Sequence, residues 1–520
     1  LYVRPHRVSV PDTVAFTARC YCYKDNFGEM ICSHPGPTIL MTPGDNFTLL
    51  LVNELGEQDE AGTVYGHVMN AMHQPNTTNI HTHGLHIDPN VDSIYLAAQP
   101  GGGTLEYKYQ LPAAHSPGLH WYHAHTHGSS AMQLMGGLVG ALIVQPPPPS
   151  PGLSTTSTDS STAFDQRIPH SILDAQSFLL VVTYVVFTQE TVNGKYTLQE
   201  LSADTHSDLE IDAQFLATTA DGSNNYHLIN GQYQPSIVVR QNEPFVLRVL
   251  HASGGKPLPL ALSSPAVCNV SSIAWDGVYL QANQYEQQVN MVAASRVELQ
   301  ILCSEEGIFS LDSEGIPLMY IVVNASSSAS AQYEYITDAD LQSINRPYYL
   351  QDLRGVDTVV ASNYSVTINQ DHANNSVCGF WIGAGTDCSS VDSYADTICP
   401  YHQFTGEKGL TVEPYRAGHK LVTYPGAVNE WRFYGMGSAF HPLHVHVNHF
   451  QIVSHSSATD VGADDYFRVG QWRDTLPPIA DVVTFRFVAA DFVGETILHC
   501  HFQRHEDLGM MDSYLVTDAA

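Results

Sequence analysis

The chain reads as many short stretches in which apolar and polar residues alternate, each bounded by Gly, Pro or Asn. A period of two marks strands half-buried against a core, and a long series of them predicts β-sandwiches. Long helical patterns are scarce. The most apolar run, Phe178 to Phe187, is rich in β-branched and aromatic residues. It reads as a buried strand and is too short to span a membrane.

A weak internal repeat organises these stretches. Pro37-Thr38-Ile39, Asp45, Phe47, Leu49 and Leu51 match Pro235-Ser236-Ile237, Glu243, Phe245, Leu247 and Val249 at identical offsets. In both copies a turn with an acidic residue leads into a strand whose alternate residues are apolar. Pro425-Gly426 leading to Trp431 and Phe433 is a poorer third echo. Three β-sandwich domains are therefore expected, at about 1–150, 151–330 and 331–520. The run Pro146 to Gly152, followed by Ser and Thr, reads as the linker between the first two. Asp352 to Tyr415 carries three cysteines and little clear periodicity, and is expected to be a disulfide-tied excursion from the third.

Composition narrows the class. With 43% hydrophobic and 14% charged residues the chain is globular. Its 52 acidic against 21 basic residues, net −31, repel nucleic acid and anionic membranes, so neither is expected as a partner. Such acidity keeps a secreted protein soluble and can also attract metal ions. The chain starts at Leu1, consistent with a leader already removed, and has sequons at Asn46, Asn76, Asn269, Asn324, Asn363 and Asn374. Apart from Cys500, eight cysteines fall in three groups: Cys20, Cys22 and Cys32; Cys268 and Cys303; Cys378, Cys388 and Cys399. An even set suggests up to four disulfides, secretion and a glycoprotein. Cys268 with Cys303 is the expected pair, because that group has no other member. The groups of three need one bridge between them or leave two thiols free.

Four histidine motifs carry the chemistry. In a strand, residues two apart share a face, so His81-Thr82-His83 and His123-Ala124-His125 can each aim two imidazoles at one site. Among 27 histidines such pairs also arise by chance. His441-Pro442-Leu443-His444-Val445-His446 says more, since His444 and His446 share a parity that His441 does not. In His499-Cys500-His501, the two imidazoles face one way and the thiol the other, with His505 and Met510 able to return to the thiol side from a turn. A thiolate, two imidazoles (His441 and His505) and an axial thioether make a blue-copper electron-transfer site. The opposite face gathers His81, His83, His123, His125, His444, His446, His499 and His501, which suit three copper ions. A tetrahedral zinc site needs no such set.

These motifs, in this order, resemble those of the multicopper oxidases of the laccase-like, three-domain type, most closely over His81–Val144 and His441–Met511. The resemblance implies an all-β fold of three cupredoxin-like, Greek-key sandwiches, the second without copper ligands. It implies four copper ions: type 1 on His441, Cys500 and His505 with Met510 axial; type 2 on His81 and His444; a type 3 pair on His83, His123 and His501 and on His125, His446 and His499. No ligand is missing, which argues against a non-catalytic copper-binding relative. By the same resemblance Glu506 and Asp92 relay protons, with Asp88 a rival to Asp92. His86, His120, His127 and His449 lie off the family pattern and read as packing or supporting groups, His449 one residue later than an extra histidine of many laccases.

The implied reaction couples one-electron oxidation of small donors, phenols and aromatic amines, to four-electron reduction of dioxygen to water by a monomer. The alternative is a metallo-oxidase of Fe(II) or Cu(I). Acidity favours it, but the 11 methionines form no Met-rich segment, and nothing places Asp464, Asp465 or Asp474 over the type 1 histidines. A methionine axial ligand implies a low-to-middle type 1 potential.

Overall fold

The computed structural model describes residues 1–11, 14–56, 73–146, 168–186, 225–326, 333–356, 362–370, 378–384, 421–434, 441–456, 466–477, 479, 482–507 and 509–518. Their strands form six sheets that close in pairs around three cores. The expected all-β, cupredoxin-like fold is borne out.

The repeat explains the pairing. Each sandwich has a short strand (Gly36–Met41, Ser236–Arg240 or Leu421–Thr423) that pairs in parallel with a later strand of its own half (Val139–Val144, Ile316–Asn324 or Met511–Val516). After a turn, the chain crosses to the facing sheet as Asn46–Asn53, Phe245–His251 or Ala427–Tyr434. On these strands Leu49 and Leu51, Leu247 and Val249, and Trp431 and Phe433 are buried two residues apart. Each such apolar side chain contributes roughly 1.5–3 kcal/mol by leaving water. The described part of the run from Phe178 lies in the strand Ser177–Val186, with Leu180 and Val182 in the second core. No helix among the described residues is long and apolar enough to cross a membrane.

One expectation is corrected. Ser362–Gln370 and Cys378–Ala384, inside the segment read as an excursion, are strands of the third sandwich and pair with each other and with Ala427–Tyr434. The signal was present, since Tyr364, Val366 and Ile368 alternate, but polar neighbours dilute it. Cys388, Cys399, Asn374 and most of the Pro146–Gly152 linker lie outside the described residues.

Cys268 and Cys303 face each other across neighbouring strands and are bonded. Cys22 pairs with Cys32, leaving Cys20 a buried thiol whose pKa burial pushes up to about 12. Among the sequons, Asn46, Asn269 and Asn324 are exposed. Asn76 is buried; its Oδ1 accepts from Arg19 Nη2 at 3.0 Å and its Nδ2 donates to Gly56 O at 3.0 Å, which leaves no room for a glycan.

Replacing both Cys268 and Cys303 by Ala opens a loop of sequence separation 35 and should cost about 2–4 kcal/mol in the denaturant unfolding of the chain. Burial holds His34 and His251 down at about 4, whereas an unfolded histidine titrates near 6.5. Between those values the unfolded chain binds more protons, so acidification favours it. The unfolding midpoint should therefore fall as pH drops from about 6.5 towards 4. A midpoint that rises on acidification would contradict this.

Candidate metal centre

The strand alternation seen in sequence becomes two faces of one sheet. In the strand Gly494–Cys500, Leu498 and Cys500 point into the third core, while Ile497 meets Ile94 of the first sandwich. His499 shares the parity of Ile497. The paired strand Leu443–Val445 sets Leu443 opposite Cys500 and His444 opposite His499. Leu443 and Val445 line the core, so His444 faces outward beside His499.

The first sandwich supplies the other wall. His81–His83 pairs with Gly118–His123, which puts His81 opposite His123. Across the junction the His83 and His444 rings stack at 3.6 Å, and His81 and His446 at 3.8 Å. His125 Nε2 comes within 3.0 Å of His499 Nε2. His501 lies 5.1 Å from His83 and 5.3 Å from His123, ring centre to ring centre. All eight predicted imidazoles thus meet in one cluster. All are at most 4% exposed.

Several rings are held by one nitrogen and offer the other. His81 Nδ1 contacts Asp92 Oδ2 at 2.5 Å, His123 Nδ1 donates to Ala124 O at 2.9 Å and His444 Nδ1 to Asp474 O at 2.9 Å. The opposite atoms, His81 Nε2, His123 Nε2 and His444 Nε2, are buried with no hydrogen-bond partner among the described residues, as are His83 Nδ1 and His446 Nε2. An orphaned buried acceptor is costly unless something binds it. Burial holds His83, His123, His125, His444, His446 and His501 well below the usual imidazole range, and His499 down at about 4. These seven rings are neutral at pH 7, the form that binds metals. Donor atoms of His125, His446 and His499 lie within 4.8 Å of one another, as do those of His81, His444 and His446 and those of His81, His83 and His123.

A second group lies on the other face. His441, Cys500 and His505 bring their donor atoms within 4.8 Å of one another, with His441 Nδ1 3.8 Å from Cys500 Sγ. The short helix Gln503–Asp507 returns His505 to the thiol side, and Gly509, at φ 104, turns the chain so that Met510 enters the core beside Cys500. The Phe502 N–H donates to Cys500 Sγ at 3.4 Å. His441 and His505 are partly exposed, the only soft edge of this group towards solvent among its donors. Phe502 stacks on His505 at 4.2 Å. Burial, then His441 and Arg504, hold His505 down at about 3.

The carboxylates separate cleanly. Asp92 is buried and also accepts from the Thr82 N–H and hydroxyl, whereas Asp88 Oδ1 accepts from Asn90 away from the cluster. Glu506 is fully buried, with Oε1 3.2 Å from His127 Nδ1 and 3.9 Å from His125 Nδ1. A cavity of about 240 Å³ is lined by Asp92 and His446 and by Tyr95 and Glu495. His86 bridges to Val447 O and Asp491, His449 Nε2 donates to Asp276 O at 2.8 Å, and His120 is buried against Gly277. Asp474, 1% exposed, reaches the histidine cluster through its Oδ1, 3.3 Å from His83 Nε2, and its carboxylate is bonded to Arg296. Sequence reasoning missed Arg296 and Asp276. The Asp276-Gly277 pair between alternating runs was a hairpin signal that would have located the second of them.

Removing the acceptor of His81 by Asp92→Ala should weaken metal binding to the cluster by about 10–100-fold, measured by competition with a chelator. Unchanged affinity would show that Asp92 does not orient that ring.

Comparison with known proteins follows the same two ends of the chain. Two multicopper oxidase family models match, one over residues 30–149 and one over residues 394–520. A multicopper oxidase, mco, of Staphylococcus aureus is 23% identical over 314 residues, which is 59% of this chain and 56% of the relative, so the match spans little more than half of that protein. Two solved structures share the fold. A multicopper oxidase of Campylobacter jejuni, described as a metallo-oxidase, has a TM-score of 0.61 at 18% identity, over 99% of this chain and 90% of its own. A laccase of Pediococcus acidilactici has a TM-score of 0.65 at 15% identity, over 99% and 87%.

Proposed function

Since the chain belongs to the multicopper oxidase family and is thereby a copper-dependent oxidoreductase, we propose that it is a laccase-like enzyme that oxidises phenols and aromatic amines one electron at a time and reduces dioxygen to water. The observation that carries this reading is the pair of donor sets on opposite faces of one strand, joined at His499-Cys500-His501.

The donor atoms fit copper. A thiolate with two imidazoles and a thioether suits a type 1 ion on His441, Cys500, His505 and Met510. The clustered, buried imidazoles suit a type 2 ion on His81 and His444 and a type 3 pair, one on His83, His123 and His501, the other on His125, His446 and His499. Bound there, copper supplies the one-electron redox chemistry and oxygen binding that no side chain offers. The protein supplies the path and the protons. A donor meets the partly exposed rings of His441 and His505, and the electron crosses through Cys500 to its bonded neighbours. His499 Nδ1 also donates to Cys500 O at 3.0 Å, a second short link. Glu506, beside His127, and Asp92, at the cavity of Tyr95 and Glu495, are the proton relays of this scheme. The two disulfides among the described residues support a secreted protein, glycosylated at exposed sequons, and we expect a monomer.

The type 1 edge favours aromatic donors. Phe502 flanks it, Arg504 bears on His505 after burial and His441, and Asp474 is committed to Arg296 on the other face. A cationic neighbour is a poor setting for Fe(II). The net charge of −31 supports the second reading, a metallo-oxidase. Oxygen uptake by the blue protein with a phenol, Fe(II) and Cu(I) side by side decides between them: much greater efficiency with a metal ion would sink the laccase reading. A redox titration should put the type 1 site in the low-to-middle range. Cys500→Ser should abolish the blue colour and turnover while the histidine cluster still takes up copper, seen by EPR and metal analysis.

A further inference from the structure

The second sandwich holds none of the proposed copper ligands, yet it sends a guanidinium to the edge of their cluster. Arg296 opens the strand Arg296–Cys303 and is 1% exposed. Its Nη1 and Nη2 donate to Asp474 Oδ1 and Oδ2 at 2.7 and 2.5 Å, the bidentate geometry in which arginine binds a carboxylate most firmly. Its Nε donates to Leu119 O, 3.2 Å away in the first sandwich. One side chain therefore ties all three sandwiches together. Arg473 and Asp276 complete the group, so two buried cations face two buried anions.

Asp474 stands between that guanidinium and two imidazoles. Its Oδ1 lies 3.3 Å from His83 Nε2, and its backbone oxygen accepts from His444 Nδ1 at 2.9 Å. Both contacts take the nitrogen that points away from the cluster, and they leave His83 Nδ1 and His444 Nε2 unpartnered among the described residues. A neutral imidazole carries one N–H. With that N–H drawn to the Asp474 side, the free lone pair of His83 must sit on Nδ1. Gly84 shows how closely the pair approaches. At φ +90, a side chain there would set Cβ 2.4 Å from Arg296 Nη2 and 2.8 Å from Asp474 Oδ2.

We propose that Asp474, clamped by Arg296, is a positioning residue of the copper cluster, fixing the tautomer of His83 and the orientation of His83 and His444. The second sandwich thereby acts on a site to which it contributes no ligand. This rests on the copper reading above.

The test separates positioning from mere structural support. A buried ion pair can often be replaced by apolar residues without loss of stability. The double variant Arg296→Met with Asp474→Leu removes the acceptor of His83 while leaving no lone charge. Its blue band and the unfolding midpoint of its copper-free form should match the wild type, because the Cys500 face is untouched and no lone charge is left buried. Copper affinity at the non-blue sites should fall about tenfold or more, measured by dialysis against a chelator, with an altered non-blue EPR signal. The nearly isosteric Asp474→Asn should weaken the same sites in the same direction and carries the test if the double variant does not fold. Wild-type copper affinity and an unchanged non-blue spectrum in either folded variant overturn the proposal. A wild-type chain whose histidine cluster takes up no copper overturns the copper reading itself.

Discussion

Everything at this site depends on the two-residue period of a β-strand whose register cannot slip. Between Gly494 and Cys500 alternate residues serve different neighbours: Leu498 and Cys500 the third core, Ile497 the first sandwich. Pairing with Leu443–Val445 on one side and Met511–Val516 on the other locks that alternation. A shift of one residue would drive His499 into a core of Phe, Leu and Trp side chains and turn Cys500 out towards the histidines. The apolar residues that hold the register thus also keep the two donor sets apart, while the peptide bonds of one strand keep them connected.

The interior deals with polarity in two ways at this junction. Around the cluster, imidazoles are kept neutral by burial and offer lone pairs. A few ångströms away the solution is reversed: Arg296, Arg473, Asp276 and Asp474 are buried, each facing groups of opposite sign. Neutral imidazoles thus lie beside a balanced ionic group, and neither places an unopposed charge in the interior. The strongly acidic composition belongs to a different level, that of surface and solubility.

Much of this was legible in the chain because it is written at short range. The parity of His444 and His446 against His441, and of His499 and His501 against Cys500, needs only the strand period. The repeated turn-and-strand signature marked three sandwiches, and Cys268 and Cys303 found each other by elimination before their strands were seen side by side. The same local logic failed where polar residues diluted it, at Ser362–Gln370. It also could not see that Asn76, a sequon by its letters, is buried and bonded to Arg19.

By itself, then, the sequence determined which residues are donors and which face of a strand each takes, since both follow from residue type and a two-residue period. Only the tertiary structure decided which faces meet. The stacking of His83 on His444, the contact of Asp92 with His81, and the reach of Arg296 to Asp474 are set by which elements meet, not by a strand period. Such contacts are set by how separate sandwiches dock through their buried apolar surfaces, and docking leaves no periodic trace in the chain.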